Sequence, residues 1–108
     1  MLVEMRVYYC EPTRLPALLD RFRDITLGFF DQYGIEQIGF WTTVVGTDNH
    51  TLTYLLKWDD MAQREERWNA FQADPEWIRR RSETEAEHPI VTRVENSFLS
   101  PTDFSALR

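Results

Sequence analysis

A chain of 108 residues with 43% apolar content is the size of one domain and is expected to form a single core, with residues 100–108 as a tail. Its formal net charge of −6 repels phosphate backbones, and the one basic run, Arg79-Arg80-Arg81, is flanked by Glu76, Glu83, Glu85 and Glu87, so no nucleic-acid role is expected. A domain of this length hides about two-thirds of the surface its unfolded chain exposes, enough for a core without a staple.

Cys10 is the only cysteine, so no intramolecular disulfide forms, and no Cys/His cluster has zinc spacing. Cys10 reads as a small residue at a strand end; the alternative, a nucleophile, needs a nearby base. The N-terminal residues lack the basic start and apolar run of a signal peptide, and no stretch approaches the ~20 apolar residues of a membrane span. The expected compartment is the cytoplasm. Aromatic content is high at 14%, which suits a core or an interface equally.

Leu2 to Cys10 alternates Val3, Met5, Val7 and Tyr9 with Glu4, Arg6 and Tyr8, and predicts a strand. Thr13 to Tyr33 predicts a long helix. Thr13 is its candidate N-cap, Pro16 falls in its first turn, and Gly34 is its stop. Leu15, Leu18, Phe22, Ile25, Phe29 and Tyr33 recur at helical steps along one face. Gly28 interrupts that helix, and close packing against a sheet is its expected reason. Ile35 to Val45 and Thr51 to Trp58 are two further strands, joined as a hairpin by the short Gly46-Thr47-Asp48-Asn49-His50 connection.

Asp60 with Gln63 three residues on has capping-box spacing and opens a second helix, with Met61, Arg64, Trp68 and Phe71 on one side. Asp74-Pro75 breaks it and starts another segment, Pro75 to Glu87, anchored by Trp77 and Ile78 and ended by His88-Pro89. Ile90 to Leu99 is the last strand. The order is β-α-β-β-α-β. The expected fold is α+β and ferredoxin-like, with a four-stranded antiparallel sheet carrying helices on one face.

Polarity places Val3, Met5, Val7, Tyr9, Phe40, Tyr54 and Trp58 toward the helices. The opposite parity collects Glu4, Arg6, Tyr8, Trp41, Thr43, Arg93 and Glu95. Large apolar groups among opposite charges suit a face covered by a second subunit, with the charges paired inside. These seven residues are the expected dimer interface; a solvated face carrying a lone Trp is the alternative.

Glu4-Met5-Arg6-Val7-Tyr8 resembles the E-x-R-x-Y opening of NIPSNAP-family domains. Gly39-Phe40-Trp41-Thr42-Thr43 is similar to that family's aromatic-W-T-T strand. Tyr54 to Asp60, Arg64-Glu65 and Trp68-Asn69-Ala70-Phe71 resemble its hairpin exit and second helix. Asp74-Pro75-Glu76-Trp77 resembles its D-P-E-W break, and Pro101-Thr102-Asp103-Phe104-Ser105 a frequent ending. The resemblance implies a dimeric α/β barrel, two sheets meeting face to face with helices outside. It implies no settled activity. The wider superfamily includes cofactor-poor monooxygenases, lactone isomerases and aldoxime dehydratases that use a pocket between sheet and helices. Its haem-degrading members carry an Asn on the first strand and a His on a helix. Neither is present here, so no haem, metal or other cofactor is expected.

Two functional readings follow. One is a homodimer that binds a small apolar or aromatic metabolite between sheet and helices, with cofactor-free isomerase or oxygenase chemistry. The other is a non-catalytic interaction or regulatory dimer. The candidate pocket residues are His50, Tyr54, Trp58, Trp68 and Trp77. His50 shares parity with Tyr54 and is a candidate general base near neutral pH; its plainer reading, like that of His88, is a solvent-exposed residue. The tryptophans read equally well as core.

Overall fold

In the computed structural model, which describes residues 1–108, the first strand is the centre of the sheet. Strand β1 (Leu2–Cys10) pairs antiparallel with β3 (Thr51–Trp58) on one side and β4 (Val91–Leu99) on the other. β3 also pairs antiparallel with β2 (Glu36–Thr42), which gives the strand order β2-β3-β1-β4. Two crossovers carry the helices, α1 (Leu15–Arg21) and α2 (Leu27–Gln32) between β1 and β2, then α3 (Met61–Ala73) and α4 (Pro75–Thr84) between β3 and β4. This is the expected ferredoxin-like α+β order. No helix is long and apolar enough to cross a membrane.

α1 and α2 form one continuous helix joined by a π-helical turn, Phe22–Thr26, in which the Leu27 N–H reaches the Phe22 carbonyl. The Thr26 hydroxyl donates to the Arg21 carbonyl at 3.4 Å, which helps satisfy a backbone group in the widened turn. The expected start at Thr13 is corrected. Thr13 has φ +73°, in the left-handed region, and α1 begins after Arg14 with Pro16 in its first turn. The expected stop is present in full. Gly34 has φ +67°, its N–H reaches the Asp31 carbonyl at 3.2 Å, and the Ile35 N–H reaches the Phe30 carbonyl at 2.8 Å. This is a Schellman ending, and it needs a residue without a Cβ penalty at Gly34. Gly28 does not serve close packing, because a Cβ there would meet no atom within 4 Å.

The capping signals read in the second half hold. Asp60 accepts from the Gln63 N–H at 2.8 Å, and the Gln63 side chain accepts in return from the Asp59 N–H at 2.8 Å. Asp74 ends α3 and caps α4, accepting from the N–H groups of Glu76 (2.8 Å) and Trp77 (3.2 Å). It also accepts a hydrogen bond from the Tyr33 hydroxyl, which ties the break in the second helix to the end of the first. Trp68, Phe71 and Trp77 are buried by these helices, whereas Met61 and Ile78 are exposed.

The sheet faces require a larger correction. In β1 the residues that face the helices are Glu4, Arg6 and Tyr8. They stand opposite Leu56, Tyr54 and Leu52 of β3, all of which are core residues. Val3, Met5 and Val7 face the other way, beside Leu55 and Thr53 of β3. A one-residue change of parity moves a whole strand's side chains to the other face. Both faces of β1 are equally eligible here, because its charged residues find partners inside. The Phe40 and Tyr54 assignments stand, and their rings stack at 5.0 Å between centroids.

Two outcomes test this account. Asp74→Ala is expected to lower stability by about 1 kcal/mol through loss of the cap. Gly28→Ala is expected to raise it by about 1 kcal/mol, since helix propensity improves and nothing is displaced. Urea unfolding of the two variants reads both signs; a destabilised Gly28→Ala would show that the glycine has a packing role.

Candidate functional site

Glu4 is fully buried, and an ionised carboxylate in that position needs compensation on every lone pair. It has it. The Trp58 indole donates at 3.1 Å, Asn96 at 3.0 Å, Arg6 at 2.9 Å, and Arg64 donates twice at 3.2 Å. Burial alone would raise the Glu4 pKa. The bonds from Arg64, Asn96 and Arg6 outweigh it, and the carboxyl is held below its ordinary value. Both guanidinium groups also stand against Trp68, with Arg6 at 4.4 Å and Arg64 at 5.2 Å from its ring centroid.

Arg6 carries this network toward the middle of the domain. Its Nε donates to the Tyr54 hydroxyl at 2.9 Å, and Tyr54 donates to the Tyr8 hydroxyl at 3.0 Å. Tyr8 also accepts from the Arg6 Nη2 at 3.4 Å. Burial disfavours charge on Arg6, but Tyr54, Tyr8 and Glu4 outweigh it, and its pKa rises. Burial pushes the Tyr54 phenol up, so it stays a neutral donor.

Tyr8 is one wall of a cavity of about 340 Å³ between the β1–β4 half of the sheet and the helices. That volume lies at the lower end of the range for small-molecule sites. The apolar lining comes from Phe22, Phe30, Trp68, Phe71, Val91 and Val94. The polar lining includes Arg6, Arg21, Thr26, Trp77, Arg81 and Glu85. Arg21, Phe22 and Thr26 all belong to the π turn or the residue before it, and such turns are frequent at functional sites because they re-aim side chains. Arg21 is buried. It donates to the Thr84 hydroxyl at 3.3 Å and lies 3.5 Å from Glu85, and burial lowers its pKa.

Among the residues singled out from sequence, Trp68 and Trp77 line this cavity. Tyr54 and Trp58 do not, but each is hydrogen-bonded to a member of the network, Tyr54 to Arg6 and Tyr8 and Trp58 to Glu4. His50 is placed away from it. The residue is exposed in the hairpin connection, as its plainer reading has it, and its backbone N–H donates to the Asp48 side chain at 2.7 Å; the reading of it as a base aimed at the helix-side cavity is corrected. His88 lies by a separate polar cleft with Glu11 and Arg14. Of the residues assigned to the far face, Glu4, Arg6 and Tyr8 belong to the helix side, as described above. Trp41, Arg93 and Glu95 do lie on the far face: Arg93 pairs with Glu95 at 3.0 Å and stacks over Tyr9 at 3.9 Å. Thr43 follows β2 and meets Thr51 across the hairpin at 2.7 Å. Arg21, Arg81 and Glu85 escaped the sequence reading. Arg21 sits on a helix whose π turn has no sequence signature, and Arg81 and Glu85 lie in a run of charges that reads as solvated. Their spacing from Trp77, four and eight residues on, was the available signal.

Cys10 is buried beneath β4, and burial pushes its thiol up to about 11, which leaves it protonated at neutral pH. No group of three or more His, Cys, Asp or Glu side chains is placed to hold a metal ion.

The NIPSNAP family model matches residues 3–106. The chain belongs to the NIPSNAP family. An uncharacterised NIPSNAP domain protein from Burkholderia xenovorans is 30% identical, with 97% of this chain and 98% of that one covered and a TM-score of 0.84. A NIPSNAP family protein of unknown function from Agrobacterium tumefaciens is 23% identical, covers 100% of this chain and 94% of its own, and has a TM-score of 0.87. An antibiotic biosynthesis monooxygenase shares the fold alone, at 14% identity and a TM-score of 0.61 over 94% of this chain. No curated protein matches. In this NIPSNAP domain the E-x-R-x-Y opening is the buried network itself, with Glu4, Arg6 and Tyr8 on the helix side of β1.

Removing the charge at the centre of that network should be costly. Glu4→Gln is expected to lose about 3 kcal/mol, because two guanidinium groups lose their buried partner. The pH dependence has a defined sign. The folded pKa of Glu4 lies below 4.5, so its contribution is complete above that pH and is lost as pH falls through the folded value. Denaturant midpoints for wild type and variant should therefore converge on acidification; a gap that persists in acid would show that Glu4 acts through shape rather than charge.

Proposed function

We propose that this NIPSNAP protein is a homodimer, closing a dimeric α/β barrel, and that each subunit binds a small apolar or aromatic metabolite in the cavity between sheet and helices. The observation that carries the binding reading is the cavity itself, a half-apolar chamber beside a fully hydrogen-bonded polar network rather than a solid core. Such a combination of apolar walls and a few fixed polar groups is how small-molecule sites discriminate. Chemistry without a cofactor would rest on Tyr8, backed by Arg6 and Tyr54, and would be isomerisation of a bound ring or its oxygenation with dioxygen as the oxidant.

The dimer reading is supported by the far face of the sheet. Val3, Met5, Val7 and Leu55 give that face an apolar centre, with Trp41 and Leu99 more than two-fifths exposed at its margins. The Trp41 indole lies against Gly39, where a Cβ would come within 2.7 Å of it, so the ring is laid along the sheet. The exposed Arg93–Glu95 pair forms a polar rim. A four-stranded sheet with one apolar face uncovered is a surface that soluble proteins bury.

Sedimentation velocity is expected to give a dimer at micromolar concentration, and Val7→Arg, placed in the centre of the face, is expected to give a folded monomer. A wild-type monomer would refute the barrel.

A further inference from the structure

The fully buried side-chain atoms of the cavity lining that lack a partner are donors. Trp77 and Arg21 are each 5% exposed, and each carries a buried donor without an acceptor, the Trp77 Nε1–H and the Arg21 Nε–H. Buried donors of this kind are rare, and each is an unfilled demand for an acceptor. Tyr8 adds a third. Its oxygen accepts from both Tyr54 and Arg6, so its own proton is the part left to donate. The Thr26 and Thr92 hydroxyls, by contrast, are spent on backbone carbonyls.

Charge points the same way. Glu4 is shared by two guanidinium groups, Arg6 and Arg64. Glu85, the one carboxylate on the cavity wall, faces Arg21 at 3.5 Å through Oε1, the same oxygen that accepts the N–H groups of Ile90 and Val91. Arg81 stands close enough to Arg21 to disfavour its charge and has no ion pair of its own. Arg93 does not add to this total, because its guanidinium lies over Tyr9 on the far face and pairs with Glu95. Each carboxylate is thus outnumbered two to one, in a chain whose net charge is −6.

We propose that the cavity takes an organic carboxylate, its anionic end held by Arg21 and the Trp77 indole N–H with Tyr8 donating alongside, and its flat apolar body packed against Phe22, Phe30 and Phe71. The inference rests on the binding reading above and narrows it from apolar metabolites to acids. A carboxylate presents acceptors only, which matches the unmatched donors of Arg21, Trp77 and Tyr8. The aromatic walls leave the rest of the ligand no hydrogen bonds to make, so a compact acid with an aryl or short alkyl body is the fit.

The four indole N–H groups provide a direct reading. In protein labelled with ¹⁵N-tryptophan, phenylacetate, 3-phenylpropanoate and indole-3-acetate are titrated beside their neutral amides. At least one acid should move the Trp77 indole resonance downfield while that of Trp58, already held by Glu4 at 3.1 Å, stays in place. Its amide should bind about tenfold more weakly or worse, the effect of one charge-assisted bond. Arg21→Gln should erase that preference, and Arg81→Gln, an exposed change at the rim that leaves the core intact, should reduce it. Acid and amide binding equally would overturn the carboxylate inference and leave the cavity reading standing. Indole resonances unmoved by every probe would overturn both.

Discussion

A carboxylate with no exposed surface stands at the centre of this domain, and much of the architecture can be read as the means of keeping it ionised. Glu4 sits on the central strand. Its donors come from β1 itself (Arg6), from β3 (Trp58), from β4 (Asn96) and from α3 (Arg64). An ionised carboxyl has roughly four acceptor sites, and all are used. A slip of any of these elements by one residue would orphan at least one buried group, at a cost comparable to a large core mutation. The network therefore does what hydrophobic contact does poorly: it distinguishes one strand register, and one docking of α3, from their near neighbours.

The aromatic core is arranged around the same feature. Trp68 stands between the network and the hydrophobic interior, touched by both guanidinium groups on one side of its environment and by Phe30 and Phe71 on the other. Tyr54 does the equivalent work nearer the sheet, its ring packed on Phe22 and Phe40 and its hydroxyl committed to Arg6 and Tyr8. Residues with an apolar body and a polar tip are what allow ions to be buried without opening the core to water. Much of the high aromatic content is spent in this way, and Trp41, Phe98 and Phe104 are the exposed exceptions.

The elements were legible in the sequence because their signals are local. The Asp60 and Asp74 caps, the Gly34 stop and the Pro75 restart each depend on a few adjacent residues, and each is present where the residues put it. The end of the first strand's legibility is equally physical. Polarity assigns a strand's faces correctly only when its charged residues lie on the wet one, and in β1 they do not: the charged parity is buried by pairing and the apolar parity lies on the face without helices. Beyond the bonds that Arg6 makes to Glu4 and Tyr8, the partners that make these charges tolerable inside lie 48 to 92 residues away, outside any local window. The cavity was hidden for a related reason, since a π turn has no sequence signature and the Arg21–Glu85 pair joins residues 64 positions apart.

The distinction between a packed core and a binding chamber comes down to how polar groups are left. Around Glu4 every donor and acceptor is matched, as structural networks are. A few ångströms of sheet further on, Tyr8, Arg21 and Trp77 line the cavity with donors that have no acceptor in the chain. Folding stability gives no reason for that asymmetry, because an orphaned donor costs free energy whether or not its neighbours are well packed. Arg21 is held by Thr84 and Glu85 at one nitrogen and unmatched at another, and the proposed ligand is what would complete it. The fully satisfied network then acts as the rigid backing for the unsatisfied one, holding Tyr8 in place through Tyr54 and Arg6 so that the cavity presents its donors at fixed positions before any ligand arrives.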